Sequence, residues 1–304
     1  MDGCNAEHNR RVEELQRALI KKANNGSFSL KGSHSNTVRA NAYKKATVSI
    51  NDFNHILSID KAKKRIYVEP RVTMEQLVNA TLPLGLVPPV LPEFKSITVG
   101  GAINGAALES SSHRYGQLND CCIEYEILCA DGSIITANAE TNRDLFYGIS
   151  GAYGTLGIIT AVEMELIPIK PQLLLQFHYF PSIEDAVSYM TDLSTADDSP
   201  EFLEALIFDQ YRVAVVVADP IDHTDIPPNC ERLRLDRWYS PWYYQLLEKK
   251  IKQKDSFAVM KTEDYLFRHD RAGFWMGGYA LHPMLLFRYT LELTTGCPQF
   301  LDRL

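Results

Sequence analysis

The sequence lacks most features that would take a chain into a membrane, onto nucleic acid or around a metal. No uninterrupted apolar run approaches the ~20 residues needed to span a bilayer; the longest, such as residues 213–218, are strand length. Basic residues are in deficit, with 31 Lys and Arg against 38 Asp and Glu and a net charge of −7. A nucleic-acid protein normally turns a basic face to the phosphates, so that class is excluded. The six cysteines (Cys4, Cys121, Cys122, Cys129, Cys230 and Cys297) contain no CxxC pair and no His/Cys spacing of a zinc site, and no metal is expected. Cys121, Cys122 and Cys129 fall in an apolar, strand-like stretch where a thiol acts as a small hydrophobe. Reduced thiols fit a cytoplasmic protein. Residues 1–11 are polar and charged, unlike a signal peptide. Neither the GxGxxG fingerprint nor a P-loop occurs, and there is no internal repeat or low-complexity tract.

What is present fits an ordinary globular chain. Its 304 residues allow two domains, and 45% hydrophobic against 23% charged residues supports a sizeable core. Val12, Leu15 and Leu19 recur at helical spacing and predict a helix over 11–24. Strands are predicted at 47–50 and 65–69 from β-branched content. Thr73 with Gln76 three residues on is a capping-box pattern, and Gly85 closes that helix. Residues 123–128 and 134–137 flank Asp131-Gly132, a hairpin signal for a type I′ turn. A short helix follows at 142–149 and a strand at 157–166, and Pro168 and Pro171 mark a domain boundary. Beyond it, strands are predicted at 173–177, 206–208 and 213–218, and a helix at 183–193. Aromatics crowd residues 238–275, most simply as core, with a pocket for a large apolar ligand as the alternative. The Arg10-Arg11 and 61–65 charge clusters read as solvated faces. Fold class is α+β.

The chemistry is expected in three loops with small side chains. Thr98, Val99, Gly100, Gly101, Ala102, Ile103, Asn104, Gly105 and Ala106 form a run in which backbone amides can face a phosphate with no Cβ in the way. Ser110, Ser111, Ser112 and His113 add hydroxyls and an imidazole. Gly151, Gly154 and Gly157 space a second turn that enters a strand through Ile158 and Ile159, and Lys31, Gly32, Ser33, His34 and Ser35 form a third loop. Three such loops in one half-chain suggest an extended dinucleotide clasped between two subdomains.

Val68-Glu69-Pro70-Arg71-Val72-Thr73-Met74, Val90-Leu91-Pro92-Glu93 and Thr98-Val99-Gly100-Gly101 resemble FAD-binding domains of the vanillyl-alcohol oxidase (PCMH) type. Glu109 to Gly116 (ESSSHRYG), Ala130-Asp131-Gly132-Ser133 and Asp144-Leu145-Phe146-Tyr147 narrow the resemblance to the delta(24)-sterol reductases, the Diminuto-like plant members included. The likeness runs from about Tyr43 to Tyr289. It implies a two-subdomain FAD-binding domain over 1–171 and a substrate cap over 172–304, incomplete because relatives continue past Leu304. In that family the segment from Thr98 to Ser110 lines the FAD diphosphate and ribityl chain, and Gly154, Gly157, Ile158 and Ile159 approach the adenosine half. Relatives are membrane-associated and reduce a sterol C=C bond, with NADPH recharging the flavin. The implied activity is an FAD-dependent oxidoreductase acting on a sterol-like or other apolar alkene, with peripheral membrane contact. The Gly32-Ser33-His34-Ser35-Asn36 loop instead looks like those of polyol and sugar-acid oxidases, some of which carry FAD on that histidine. That leaves an oxidase as the alternative, and a truncated, non-catalytic flavin binder as a third reading. Arg268, His269 and Arg271 are the cluster nominated near a substrate, with a surface ion-pair role against it; no catalytic acid is assigned.

Overall fold

The computed structural model of the protein describes residues 2–23, 30–31, 48–237, 239–251 and 256–271. They divide into two compact units. One holds the described residues up to 108 together with 117–167, the other 109–116 with those from 168 onward.

The first unit is built on a five-stranded antiparallel sheet. Its strands are β1 (Ile56–Asp60), β2 (Arg65–Val68), β3 (Cys122–Leu128), β4 (Ile134–Asn138) and β5 (Ile158–Glu165), in the order β1-β2-β5-β3-β4. β5 is central and its first five residues are all buried. Both of its faces are covered, so the polar-apolar alternation of a half-exposed strand is missing from its sequence. Around the sheet lie α1 (Asp2–Ala23), α2 (Met74–Thr81), α3 (Val99–Asn104) and α5 (Arg143–Gly148).

The short-range predictions for α2 hold. The Gln76 amide donates to Thr73 Oγ1 at 3.2 Å and the Thr73 amide to Gln76 Oε1 at 2.9 Å, closing the capping box. A 3-10 turn then leads to Gly85 at φ 74°. The β3–β4 hairpin also holds, but its turn is not type I′. The Gly132 amide donates to Cys129 O at 3.0 Å and the Cys129 amide to Ser133 O at 2.8 Å. In that loop only Gly132 has positive φ, as in a three-residue loop whose last residue is left-handed.

α1 begins nine residues before the predicted start. Val12, Leu15 and Leu19 pack on Val48, Phe53, Leu128 and Ile158, as the spacing predicts, each worth about 1.5–3 kcal/mol of burial. The extra turns are held by Glu69, a fully buried carboxylate just past β2. Its Oε1 accepts from the Arg11 guanidinium at 2.8 Å and lies 2.7 Å from His8 Nδ1; its Oε2 accepts from the His55 amide at 2.9 Å. His8 Nε2 faces Glu126 Oε1 at 3.1 Å. Arg11, expected on a solvated face, is therefore an anchor.

The second unit carries a sheet of β6 (Gln172–Phe180), β7 (Phe202–Asp209), β8 (Arg212–Ile221), β9 (Glu231–Leu233) and β10 (Ser256–Lys261), ordered β7-β8-β6-β10-β9. All pairs are antiparallel except β9 with β10. Its helices are α4 (Ser112–Tyr115), α6 (Ile183–Thr195), α7 (Tyr243–Lys250) and α8 (Thr262–Leu266). α6 lays Ile183, Ala186, Met190 and Leu193 over Val213, Val215 and Val217. Of the predicted aromatic cluster, Trp242, Tyr243, Tyr265 and Phe267 are core, while Tyr239 and Phe257 are exposed. Trp238, Phe274 and Trp275 lie outside the described residues. No described helix is long and apolar enough to cross a membrane.

His8 makes the attachment of α1 pH-dependent. Burial alone would lower its pKa, but hydrogen bonds to Glu126 and Glu69 outweigh that and lift it from 6.5 to about 9. A group raised on folding stabilises fully below its unfolded value and loses that effect as pH climbs through the folded one. Chemical denaturation between pH 6 and 10 is expected to show a stability decline on the order of 3 kcal/mol from this group. The decline should be absent in His8→Phe; an unchanged pH profile in that variant would refute the assignment.

Candidate functional site

Thr98 caps α3, its Oγ1 accepting the Gly101 amide at 3.3 Å. The neighbouring amides turn inward: Val99 donates to Val72 O at 2.9 Å, Gly100 to Pro70 O at 2.8 Å, and Ala102 to Thr98 O at 2.8 Å. The expectation that amides of this run face outward fails: these donors are spent, as are those of Gly101 on Thr98 Oγ1, Gly105 on Gly101 O and Ala106 on Ile103 O. A Cβ on Gly100 would stand 2.7 Å from Pro70 Cβ, so glycine is required there for packing. Gly157 is of the same kind, since its Cβ would lie 2.5 Å from Ile127 Cγ2. Ile158 and Ile159 are buried in β5, their side chains occupied by the core.

Gly101, Gly105 and Gly154 are different: all three are exposed. A Cβ on Gly154, at φ 77°, would meet nothing within 4 Å. The two loops carrying these glycines are adjacent. Gly151 donates its amide to Ile103 O at 3.2 Å and Tyr153 its amide to Asn104 O at 3.4 Å. Asn104 Oδ1 accepts the Gly154 amide at 2.7 Å, while its Nδ2 donates to Gly100 O at 2.8 Å. Leu108, Tyr153 and Leu156 stand exposed on the same two loops, at 60%, 72% and 46%. Ala106 and Tyr153 both have left-handed backbones, φ 51° and 52°, a conformation that costs non-glycine residues energy and gathers at ligand sites. Surface lacking Cβ atoms, with exposed apolar side chains beside it, suits a long ligand with flat rings. The residues present fit FAD in that respect. Among the described residues no group of His, Cys, Asp or Glu could hold a metal ion.

The remaining predicted residues lie elsewhere. Lys31 contributes its backbone to a two-residue parallel pairing with Ser49; Gly32, Ser33, His34 and Ser35 lie outside the described residues. Ser110, Ser111, Ser112 and His113 belong to the second unit. Ser110 O accepts the Leu203 amide at 2.8 Å. Ser112 Oγ accepts the Glu109 amide at 2.9 Å. His113 places Nδ1 3.0 Å from Ser110 O and Nε2 2.9 Å from Pro200 O, so each ring nitrogen faces a carbonyl. Ser110 and His113 border a cavity of about 320 Å³ whose apolar wall is Val187, Met190 and Leu203.

Beneath it lies a cluster the sequence misplaces. Arg268 and His269 are buried, not on the surface. The Arg268 guanidinium pairs with Glu204 through Nε and Nη2, both at 2.8 Å, and with Glu109 through Nη1 at 2.9 Å. Tyr243 donates to Glu204 Oε1 at 2.6 Å. Burial pushes the Glu204 carboxyl up, but Arg268 and His269 outweigh it and hold the group well below the usual carboxylate range.

Residues 10–138 match the family described as FAD binding domain. The chain is 32% identical over 249 residues to the delta(24)-sterol reductase of Pisum sativum, covering 77% of this chain and 44% of the pea protein. It is 30% identical over 275 residues to that of Homo sapiens, covering 88% of this chain and 52% of the human protein. It is also 31% identical over 146 residues to a decaprenylphosphoryl-beta-D-ribose oxidase of Mycolicibacterium smegmatis, 47% of this chain and 32% of that protein. The chain spans about half the length of the sterol reductases it matches.

Two substitutions separate packing from chemistry. Gly100→Val is expected to destabilise by about 1–3 kcal/mol through overpacking against Pro70. Arg268→Met is expected to lose about 3–5 kcal/mol, because two buried carboxylates are left without their cation. Urea midpoints of each variant against the parent check both; a parental midpoint for Arg268→Met would remove the cluster from the core's support.

Proposed function

From the premise that this chain belongs to the FAD-binding flavoproteins and resembles the delta(24)-sterol reductases, we propose that it is an FAD-dependent oxidoreductase. Its substrate is a sterol-like or other apolar alkene, whose C=C bond it reduces at the expense of NADPH. The observation that carries the reading is the pairing of two glycine loops through Asn104, within the unit that contains the FAD-binding match. Thr98, Gly101 and Gly105 on one loop and Gly154 on the other would hold the diphosphate-bridged body of FAD, and Leu108, Tyr153 and Leu156 would shield it from water. Gly157, Ile158 and Ile159 would shape the second loop from below; for Ser110, Ser111, Ser112 and His113, which belong to the second unit, a cofactor role rests on the family resemblance alone. Held there, FAD would supply two-electron hydride chemistry between NADPH and one alkene carbon, with a proton needed at the other. The apolar wall of the second unit's cavity supports an apolar substrate. A second reading, an oxidase of a sugar or polyol, is favoured by the similarity to the decaprenylphosphoryl-beta-D-ribose oxidase.

Purified protein is expected to retain or take up FAD. Anaerobic NADPH should bleach its visible flavin band, and a sterol with a side-chain double bond should restore it. Bleaching by a polyol or sugar acid but not by NADPH would favour the oxidase. Flavin that binds but answers to neither donor would leave a non-catalytic binder, and a protein that refuses FAD would overturn the whole reading. Gly101→Val is expected to lose at least ~90% of bound flavin, because a branched side chain would occupy the exposed cradle.

A further inference from the structure

We propose that Asn104 is a positioning residue that sets the spacing of the two glycine loops and thereby the affinity for the adenosine diphosphate part of the cofactor; this rests on the FAD reading above. Asn104 is half-buried at the last position of α3, and its side chain spans the gap between the loops. Nδ2 donates to Gly100 O at 2.8 Å, Oδ1 accepts from Gly154 N–H at 2.7 Å, and its own carbonyl accepts from Tyr153 N–H at 3.4 Å. The partners fix the orientation of the carboxamide, since a carbonyl needs the NH2 and an amide N–H needs the oxygen.

No simpler side chain does both tasks. An aliphatic residue would leave Gly100 O with one bond fewer and the Gly154 amide without its acceptor. A Cβ on Gly154 would touch nothing within 4 Å, so no side-chain packing at that position replaces the lost bond. The Gly151 contact to Ile103 O would still hold the base of the second loop. The expected effect is therefore local: the tip at Tyr153 and Gly154 moves relative to Gly101 and Gly105, while the sheet stays intact. Each end of the carboxamide makes one bond to backbone, so the role assigned here is to hold the two loops together.

The experiment titrates wild-type, Asn104→Leu and Asn104→Ser protein, each freed of flavin, with FAD, with FMN and with ADP, following flavin fluorescence or heat. Wild type should prefer FAD over FMN. Asn104→Leu should weaken FAD and ADP roughly tenfold or more, the equivalent of one to two hydrogen bonds, with little change for FMN. Hydrogen exchange of the peptide carrying Gly154 should speed up in the same variant. Asn104→Ser, able to keep one of the two bonds at most, should fall between. Equal FAD affinity in all three proteins, or an equal loss for FAD and FMN, would overturn the inference while leaving the FAD reading in place. If Asn104→Leu does not fold, the Asn104→Ser affinities and exchange rates decide alone. Failure of the wild-type protein to bind FAD, by contrast, is failure of the underlying reading.

Discussion

The four residues from Glu69 to Val72 are the constraint on which the first unit is organised. The side chain of Glu69, fully buried, gathers His8, Arg11 and His55, so α1 is tied down by charge as well as by its apolar face. The backbone immediately after it does the opposite job. Pro70 O and Val72 O accept the Gly100 and Val99 amides and so seat α3. A buried carboxylate is tolerated only when its lone pairs are met; here meeting them also fixes the segment that carries the glycine loop. Disturbing Glu69 would thus reach the proposed cofactor surface through three residues of continuous backbone.

The glycines of the site divide by what surrounds them. Gly100 and Gly157 are glycine because the interior leaves no room for a methyl group. Gly101, Gly105 and Gly154 face solvent; a Cβ would come close to Thr98 Oγ1 at Gly101 and to Gly101 O at Gly105, and would meet nothing at Gly154. A run that reads as one motif is therefore two superimposed requirements, one for packing and one for access.

Legibility in the sequence followed distance along the chain. The Thr73–Gln76 box and the β3–β4 hairpin depend on residues three to six apart, and both were readable; only the turn type was not, because Asp-Gly serves more than one. The early start of α1 was hidden because His8 and Arg11 find Glu69 61 and 58 residues away. Arg268 read as a surface charge for the same reason, its partner Glu109 lying 159 residues upstream. The outward-amide expectation failed because no local pattern announces Pro70 O and Val72 O as acceptors. The small-residue character of the two loops was legible, whereas their juxtaposition through Asn104 needed coordinates.

Ala106 and Tyr153 carry a further implication. Each holds a left-handed backbone that glycine or asparagine would adopt with less strain. A laboratory selection for heat resistance alone should find glycine or asparagine at these two positions early. Chains relaxed in this way would lose the Tyr153 ring or the Ala106 methyl beside the proposed cofactor surface, so, on the FAD reading, the hardier descendants should also be the paler ones.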